Sequence, residues 1–564
     1  MELNAERHFA NVPTTFIDHS VMPIPYDWTF TINSGVLNCF YVDEAIPGDI
    51  YDLETKHLTR QLTPITSPLD VAFLDVYYFF VPWRLVWIHS KEFFGENTST
   101  AWSQTTPAPL PSVNTKGWTR TPGDLLNQLG ITVKPFQSDA NCTINSLPMR
   151  SYNLIWREFF RDQNTMNYTY APVNTADSGD TAAACNTLLP VCRIHDLFGS
   201  VLPGPQRAAG GFSQGVALAL EGILPVGALT SNWSEAVLNE VAGGSVGVYP
   251  SLKVGIPGST SSISGNLQVN AGTATYTGGS AGSSAVTVKN LGADASYGQI
   301  DINAFRMAFQ TQKVLEALAR GGSRYTEILQ SIYGTRSDDA RLQRPEFLGG
   351  QRWNLNMQDN LQTSQTATTP LGTIGGYSKT LGKGARVRYP VKEHGYVMGV
   401  CCIRHNRSYC QMIPQMFRRT NFFSIYNPKF AHLGEQPVMV SEICADYAAG
   451  QGNIQDPSKV IFGYQEYGYS YRWKPSLCGG GMSPGSQVDP VTGDPTGLGS
   501  VWTYADWYKS APSLSAGWMS EGQDEIGRTL AVQNADQYIC QISVFNKHVR
   551  PMPVYSVPGF VDHF

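Results

Sequence analysis

The stretch DEAIPGDIYDLETKHLTRQLTPITSPLDVAFLDVYYFFVPWRLVW, residues 43–87, is the most informative part of this chain. It begins as a polar connector that is closed by prolines at positions 47, 64 and 68. A dense β-type run follows at 71–81 and ends at Pro82. Five residues of this run are aromatic, and aromatic side chains at that density stay soluble only in a large core or a permanent interface. The run therefore predicts a deeply buried strand.

The composition indicates a large β-rich protein that is partly hidden by neighbours. The chain has 564 residues, with 54 Gly and 35 Pro, which favours strands, long loops and either large insertions or a second domain. Charged residues make up 15%, against roughly 25% in an average soluble domain. A monomer so poor in charge would be sticky, whereas a subunit covered by other subunits would not.

The formal net charge of −5 argues against a protein that coats DNA through its overall charge. The ten cysteines contain no CxxC pair, so they are interpreted as reduced core residues of a cytoplasmic product. No signal peptide opens the chain, and the longest apolar stretch, 215–229, is interrupted by Glu221 and Pro225.

The periodicity along the chain predicts a mainly β fold with a few short helices. Residues 1 to about 70 suggest an extended arm with short strands at 29–31 and 36–42. Helices are predicted at 85–94, 151–162, 303–320 and 325–332, and further strands at 386–404, 460–473 and 538–547. Residues 354–384 are polar and rich in Gly and Thr, and a flexible loop is predicted at 375–384. Strands so far apart in sequence are typical of a jelly roll with loop insertions.

The composition changes near Ala208. From there to about 298 the chain is rich in Gly, Ser, Ala and Thr and poor in charge. It is either a disordered linker or a small β-rich insertion. We favour the insertion, because short alternating runs recur at 268–276 and 285–289.

No motif in the chain indicates catalysis, a cofactor or a metal. The segment GGYSKTLGKG at 375–384 has the wrong spacing for a phosphate-binding loop, and Gly384 stands where Ser or Thr would bind magnesium. Cys401, Cys402 and His405 lie close in sequence, but adjacent cysteines on a strand point to opposite faces and cannot easily share one zinc ion. We therefore predict core cysteines and no enzyme activity.

Three basic clusters are candidates for contact with unpaired nucleotides. Each lies beside aromatic residues, and arginine with aromatic rings suits phosphate contacts and base stacking. Ordinary solvated charge or salt bridges at a subunit interface are the alternative interpretations. The clusters are Arg404 with Arg407, Arg418 with Arg419, and Lys547 with Arg550.

Several long strings resemble the major capsid protein of the Microviridae, and in particular of the gokushovirus-like group. Besides residues 43–87, they include SYNLIWREFFRDQN at 151–164 and INAFRMAFQTQKVLEALARGGSRYTEILQSIYG at 302–334. They also include SDDARLQRPEFLGG at 337–350 and VRPMPVYSVPGFVDHF at 549–564. The resemblance covers most of the chain outside the region 208–299.

This resemblance implies an eight-stranded antiparallel jelly roll with large loop insertions and a few short helices. Residues 1–207 and 300–564 would form the shell domain, and 208–299 a Gly/Ser-rich surface protrusion at the threefold axis. The subunits would build a T=1 icosahedral capsid around a circular single-stranded DNA genome. The virion would be assembled in the cytoplasm of the host bacterium.

The implied partners are other copies of the chain, the single-stranded DNA, a small basic DNA-binding protein, a DNA pilot protein and a scaffolding protein. The protrusion would meet a host surface receptor. An alternative from another class is a carbohydrate-binding or carbohydrate-cleaving β-sandwich, because 12 Trp and 27 Tyr could stack on sugars.

Overall fold

The computed structural model describes most of the chain outside one long central region. The described residues are 17–96, 109–115, 123–131, 143–171, 173–181, 185–207, 252–255, 262–270, 273–277, 302–321, 324–365, 370–372, 374–445, 460–532 and 535–555.

Strands dominate the described part of the chain, and all paired strands in it are antiparallel. They are β1 Ser20–Ile32, β2 Asn38–Ala45, β3 Ile50–Gln61, β4 Ala72–Pro82, β5 Ser112–Asn114, β6 Thr143–Asn145, β7 Leu252–Gly255, β8 Ser262–Asn270, β9 Thr273–Thr277, β10 Glu346–Asn354, β11 Met357–Leu361, β12 Ile374–Ser378, β13 Thr380–Lys383, β14 Val387–Pro390, β15 Gly395–His405, β16 Glu435–Met439, β17 Ile461–Glu466 and β18 Tyr538–Arg550.

Most helices are short. They are α1 Trp83–Val86, α2 Ser90–Phe93, α3 Leu125–Gln128, α4 Leu147–Ile155, α5 Ile302–Gly321, α6 Tyr325–Tyr333, α7 Gln415–Arg418, α8 Tyr469–Arg472, α9 Gly499–Trp502, α10 Ala516–Met519 and α11 Asp524–Gly527. One π-helical turn, Trp156–Phe160, continues α4. Single 3₁₀ turns occur at Tyr168–Tyr170, Phe422–Ser424, Pro428–Phe430, Val440–Glu442, Gly480–Met482 and Pro484–Ser486.

Two large sheets form the centre of the first of two compact units, which comprises Met1–Arg207 and Glu316–Phe564. The five-stranded sheet has the order β1-β18-β3-β13, with β14 also paired to β3. The four-stranded sheet has the order β10-β4-β15-β2. In each sheet, strands from residues 20–82 therefore pair with strands from residues 346–550.

Alternate residues of each strand form the core between the two sheets, because successive side chains along a strand point to opposite faces. From the four-stranded sheet, Tyr78, Phe80 and Val397 point into this core. From the five-stranded sheet, Tyr538 and Ile542 meet them. Because the alternate residues of β18, such as Ile539 and Phe545, are exposed, the outer face of the five-stranded sheet borders solvent in the described part of the chain.

The other face of the four-stranded sheet is covered by a layer of helices and loops. Phe79 and Met398 belong to this second core, together with Trp156 and Tyr152 of the α4 region. The Tyr152 hydroxyl donates a 2.6 Å hydrogen bond to the carbonyl of Leu37, just before β2. The four-stranded sheet is thus the middle of three layers, which explains why all residues of β4 except Tyr77 are buried.

The structure corrects the interpretation of residues 1–70 as an extended arm. Residues 20–61 supply β1, β2 and β3, which are integral strands of the two large sheets. The error is clearest for β3, whose sequence IYDLETKHLTRQ was assigned to a polar connector. Its residues alternate between buried and more exposed positions, and polar residues such as Thr55 and His57 occupy buried ones.

The predictions for other elements had mixed outcomes. The strand at 71–81 and the helices at 303–320 and 325–332 are confirmed as β4, α5 and α6. The flexible loop predicted at 375–384 was wrong, since this segment contains most of β12 and the whole of β13. The run at 386–404 is divided into β14 and β15, and the run at 460–473 is a strand followed by a helix.

The second compact unit comprises Ala208–Leu315. Within it, β7, β8 and β9 form a three-stranded antiparallel sheet. The alternating run predicted at 268–276 overlaps β8 and β9, while the run at 285–289 lies outside the described residues. Among the helices that the structure describes, none has the length and apolar character needed to cross a membrane.

Candidate nucleic-acid interface

The six predicted nucleotide-contacting residues lie in very different environments. Arg404, near the end of β15, donates a 3.0 Å hydrogen bond from Nε to Asp75 on the neighbouring strand β4. Asp75 is fully buried and also receives a 2.6 Å hydrogen bond from Nε of Arg352 on β10. Because one buried carboxylate is shared by two guanidiniums, we assign Arg404 a role in holding three strands together.

Arg407 is engaged still more completely. Its side chain is 1% exposed, and its guanidinium lies 2.7 Å from Asp506, 3.0 Å from Glu521 and 3.0 Å from Glu525. Arg193 completes the cluster through a 3.0 Å contact with Asp506. Arg407 is therefore not accessible to a ligand in this structure. Its guanidinium instead neutralises the carboxylates of a buried ionic network.

Two acid groups of this network, Asp506 and Glu521, remain ionised well below neutral pH. Burial by itself raises the pKa of Glu521, but the charges of Arg407 and then His405 outweigh burial and lower this pKa to about 2. Burial likewise opposes ionisation of Asp506, but Arg407 and Arg193 hold its pKa well below the usual range. The network is therefore a set of compensating charges rather than a proton donor poised near pH 7.

Arg418 and Arg419 are also occupied by partners within the chain. Arg418 donates a 2.8 Å hydrogen bond to Glu442. Arg419 donates a 2.6 Å hydrogen bond to the Ser470 hydroxyl and lies 4.1 Å from the ring centre of Tyr471. Both arginines connect the segment around α7 to α8 or to the Val440–Glu442 turn of the same chain.

Lys547 and Arg550 lie at the same end of β18 but differ in exposure. Arg550 lies 3.4 Å from Asp43 and 3.4 Å from Asp49, and its side chain is 17% exposed. Lys547 is exposed, on the outer face of the five-stranded sheet. Among the six predicted residues, Lys547 is the one whose side chain is free to meet a large external ligand.

Further cations share this outer face, which we call the basic sheet face. Strand registers show which side chains lie there: Lys383 pairs with Lys56, and Arg388 pairs with Asp52. The cations of the face are Lys56, Arg60, Lys383, Arg386, Arg388 and Lys547.

The carboxylates on the same strands offset part of this charge. They are Asp27, Asp52 and Glu54. Glu54 lies 3.0 Å from Lys383 and 4.0 Å from Lys56, and Asp52 lies 2.7 Å from Arg386. The described part of the chain provides no ion pair for Arg60, Arg388 or Lys547. The basic sheet face therefore carries more cations than carboxylates, and the cations are spread over several strands.

An aromatic side chain stands within the basic sheet face. Phe545 is 48% exposed and lines an open cavity of about 460 Å³ together with Pro25 and Lys56. An exposed ring beside lysine side chains provides both a stacking surface for a base and cations for phosphates. Asp27 and Glu54 also line this cavity, so phosphate contacts are expected at its cationic margin rather than at its centre.

The sequence interpretation found Lys547 but missed the other cations of this face. Lys56 and Arg60 lie in the segment assigned to a connector, and Lys383 in the segment assigned to a loop. The alternation of IYDLETKHLTRQ was a usable signal, since it places Glu54, Lys56 and Arg60 on one face of a strand. No local signal joins β3 to β18, which lie nearly 500 residues apart in the chain yet pair directly.

The cysteines behave as the strand geometry predicts. Cys401 packs in the core between the two sheets, and Cys402 packs in the core on the opposite side of β15. Burial raises the pKa of the Cys402 thiol to about 12, so this thiol is neutral at physiological pH. Across the described residues, no group of three or more His, Cys, Asp or Glu side chains is placed to hold a metal ion.

Comparison with known proteins shows the class of protein to which this chain belongs. Residues 10–560 match the model of the capsid protein (F protein) family. Since the match covers almost the whole chain, the chain belongs to this family of phage capsid proteins.

Individual relatives narrow the group. The chain is 32% identical to capsid protein VP1 of Bdellovibrio phage phiMH2K over 577 residues, which covers 99% of this chain and 98% of the relative. It is 32% identical to capsid protein VP1 of Spiroplasma virus 4, with the same coverage. It is 30% identical to capsid protein VP1 of Chlamydia phage 1, with 98% of each chain covered. The predicted resemblance to Microviridae of the gokushovirus-like group is confirmed.

Proposed function

We propose that this protein is the major capsid subunit of a virion in which it forms a T=1 icosahedral shell around a circular single-stranded DNA genome. The observation that carries the proposal is the family match over residues 10–560. The low charged fraction of 15% supports it, because a shell subunit buries much of its surface against its neighbours.

The two large sheets form an eight-stranded jelly roll in this proposal. Taking β13 and β14 as one interrupted strand, the eight strands pair first with last, second with seventh, third with sixth and fourth with fifth. These pairs are β1 with β18, β2 with β15, β3 with β13 and β14, and β4 with β10. Nested antiparallel pairing in two packed sheets is the pattern expected of a jelly roll. Long insertions between the strands then supply the outer layer.

The basic sheet face is the surface that contacts the genome in this proposal. Its excess of cations, including Lys547 and Arg60, suits a polyanion, and Phe545 offers a ring for an unpaired base. A subunit with a net charge of −5 requires its positive charge to be concentrated locally if it is to hold DNA. Contacts of this kind are independent of sequence and weaken as the salt concentration rises.

The remaining partners and locations belong to the same proposal. Assembly takes place in the host bacterial cytoplasm, with a small basic DNA-binding protein, a DNA pilot protein and a scaffolding protein as helpers. Residues 208–299 form a surface protrusion at the threefold axis that meets the host receptor. The separate compact unit at Ala208–Leu315 supports an inserted module.

Electron microscopy and size-exclusion chromatography of the purified full-length chain test the proposal. Hollow isometric particles, obtained alone or with a co-expressed scaffolding protein, are the expected result. A monomer or small oligomer under both conditions would contradict it and would favour the carbohydrate-binding β-sandwich. Particles with a subunit number other than 60, the number that T=1 symmetry requires, would contradict the T=1 assignment alone.

A further inference from the structure

Two cysteines differ in exposure from the other cysteines that the structure describes. Seven of these nine are buried, whereas Cys410 and Cys478 are only partly buried. Cys410 lies shortly after β15, and Cys478 lies between α8 and the Gly480–Met482 turn. Among the described thiols, this pair is therefore the one that an oxidant dissolved in the medium can approach.

Backbone pairing sets the two cysteines side by side. Tyr409 pairs in parallel with Leu477. The amide of Tyr409 donates a 2.9 Å hydrogen bond to the carbonyl of Ser476, and its carbonyl accepts a 3.0 Å hydrogen bond from the amide of Cys478. Cys410 and Cys478 each follow a paired residue, so the same register places them opposite each other. Paired strands are about 4.8 Å apart, which lies within the range of about 4.4–6.8 Å between the Cα atoms of a disulfide.

The two thiols lie on the same side of this pairing. The Cys478 thiol donates a 3.5 Å hydrogen bond to the hydroxyl of Ser408. Ser408 shares its face with Cys410, because alternate residues of an extended chain point the same way. Burial raises the pKa of the Cys410 thiol to about 11, and the neighbouring Cys478 acts in the same direction. Two thiols on one face of adjacent segments are positioned for a covalent bond between them.

The two cysteines differ in how firmly they are held. Cys410 follows Tyr409, which is 1% exposed, and its thiol donates a 3.2 Å hydrogen bond to the carbonyl of Asp506. Cys478 precedes three glycines, at 479–481, and a Cβ atom added to any of them would meet no atom within 4 Å. A glycine run in open space shifts at low cost. The segment that carries Cys478 can therefore supply the small adjustment that a disulfide requires.

We propose that Cys410 and Cys478 form a disulfide when the protein leaves a reducing compartment, and that this bond fastens the segment after β15 to the segment after α8. The oxidant is a small dissolved disulfide such as oxidised glutathione. The Cys478 thiolate attacks one sulfur of the oxidant and expels a glutathione thiolate. The Cys410 thiolate then attacks the Cys478 sulfur of the mixed disulfide and expels the second. The two protein thiols lose two electrons and two protons, and one oxidised glutathione becomes two molecules of glutathione.

The timing of this reaction rests on the proposed function. A capsid subunit made in the bacterial cytoplasm is kept reduced by the thiols there, whereas a released virion meets an oxidising medium. Because the Cys410 thiol is almost wholly protonated at neutral pH, it reacts slowly with oxidants. Slow reaction favours closure of the disulfide after release rather than during assembly.

Peptide mapping of the purified full-length protein tests the inference. The protein is incubated with oxidised glutathione, its remaining thiols are blocked with N-ethylmaleimide, and its peptides are analysed by mass spectrometry without reduction. A linked peptide that contains Cys410 and Cys478 should be found in most molecules and should disappear after treatment with dithiothreitol. Cys410→Ser and Cys478→Ser should each abolish the linked peptide. Cys402→Ala, at a buried cysteine, should leave it unchanged.

Thermal unfolding of the unassembled chain measures the consequence of the bond. Oxidation should raise the Tm of the parent by about 4 °C, because the bond restricts the unfolded chain over about 70 residues. It should not raise the Tm of Cys478→Ser. An equal rise in the parent and in Cys478→Ser would overturn the inference, as would Cys410 and Cys478 found free or each carrying its own glutathione.

This test is separate from that of the capsid function, because the linkage is detected on the chain whether or not particles form. Its absence in a preparation that forms particles would overturn the inference alone. The timing is tested on particles alkylated during lysis of the host and on particles recovered from the medium. Free thiols in the first and the linked peptide in the second are expected. A linked peptide already present at lysis would contradict closure after release.

Discussion

Arg407 Nη1 lies 2.7 Å from Asp506 Oδ1, and each side chain is 1% exposed, although 99 residues separate them in the chain. Asp506 also lies 3.0 Å from Arg193. The Asp506 carboxylate therefore joins two arginines that are distant in sequence. Arg193 precedes the inserted region 208–299, and Arg407 follows β15. The arrangement is a buried network whose charges compensate one another, and its loss has measurable consequences.

Replacement of Arg407 by Met should destabilise the folded subunit strongly. The substitution leaves Asp506, Glu521 and Glu525 without their shared cation, and removing one partner of a buried ion pair costs about 3–5 kcal/mol. Denaturant unfolding of the unassembled chain measures the effect. Arg341→Met, at an exposed arginine, is the matched control. If Arg407→Met lowers the free energy of unfolding no more than this control does, the stabilising role of the network is contradicted.

Protonation of Glu521 should lower the free energy of unfolding in acid. Its folded-state pKa of about 2 lies below the ordinary value of 4.5, so its contribution is fully present above about pH 4.5 and is lost as the pH falls towards 2. The difference corresponds to about 3 kcal/mol. Unfolding free energies between pH 2 and pH 6 should fall less steeply for Glu521→Gln than for the parent. Asp524→Asn controls for removal of an exposed carboxylate, and identical slopes for Glu521→Gln and the parent would refute this assignment.

Charge reversal on the basic sheet face should weaken DNA retention without preventing assembly. Lys547→Glu combined with Arg60→Glu changes the charge of the face by −4 while leaving the buried faces of β18 and β3 intact. Particles should form but carry less DNA, and the retained DNA should be lost at lower salt than in the parent. Lys429→Glu, at an exposed lysine elsewhere, is the control. Double-mutant particles with the DNA content and salt resistance of the parent would reject this face as the genome contact.

The inserted region should be dispensable for folding of the double sheet. Replacing residues 210–298 by a short Gly/Ser linker removes most of the second compact unit. Closing the remaining loop changes the free energy by only about (3/2)RT ln n. Soluble, strand-rich protein is the expected outcome, as measured by circular dichroism and size-exclusion chromatography. Aggregation of the shortened chain would show that the region contributes to the core.

The sequence predicted an element correctly where the residues of that one segment were enough to define it. The aromatic run at 71–81 predicted β4, because so many large apolar side chains require burial on both faces. The helix at 325–332 was predicted to end before Gly334, which adopts the left-handed conformation with φ 65° at the helix end. Long family-specific strings carried the resemblance to the capsid proteins.

The sequence alone determined the family, the strongest strand, the two clear helices and the presence of an unusual central region. Each is a property of a contiguous segment. Only the tertiary structure decided that β3 lies within a sheet, that Arg407 is buried while Lys547 is exposed, and that Lys56 and Arg60 share a surface with Lys547. Burial and charge compensation depend on residues hundreds of positions away, as Arg193 and Asp506 illustrate. A side chain's neighbours in sequence therefore do not fix whether its charge meets a carboxylate or solvent.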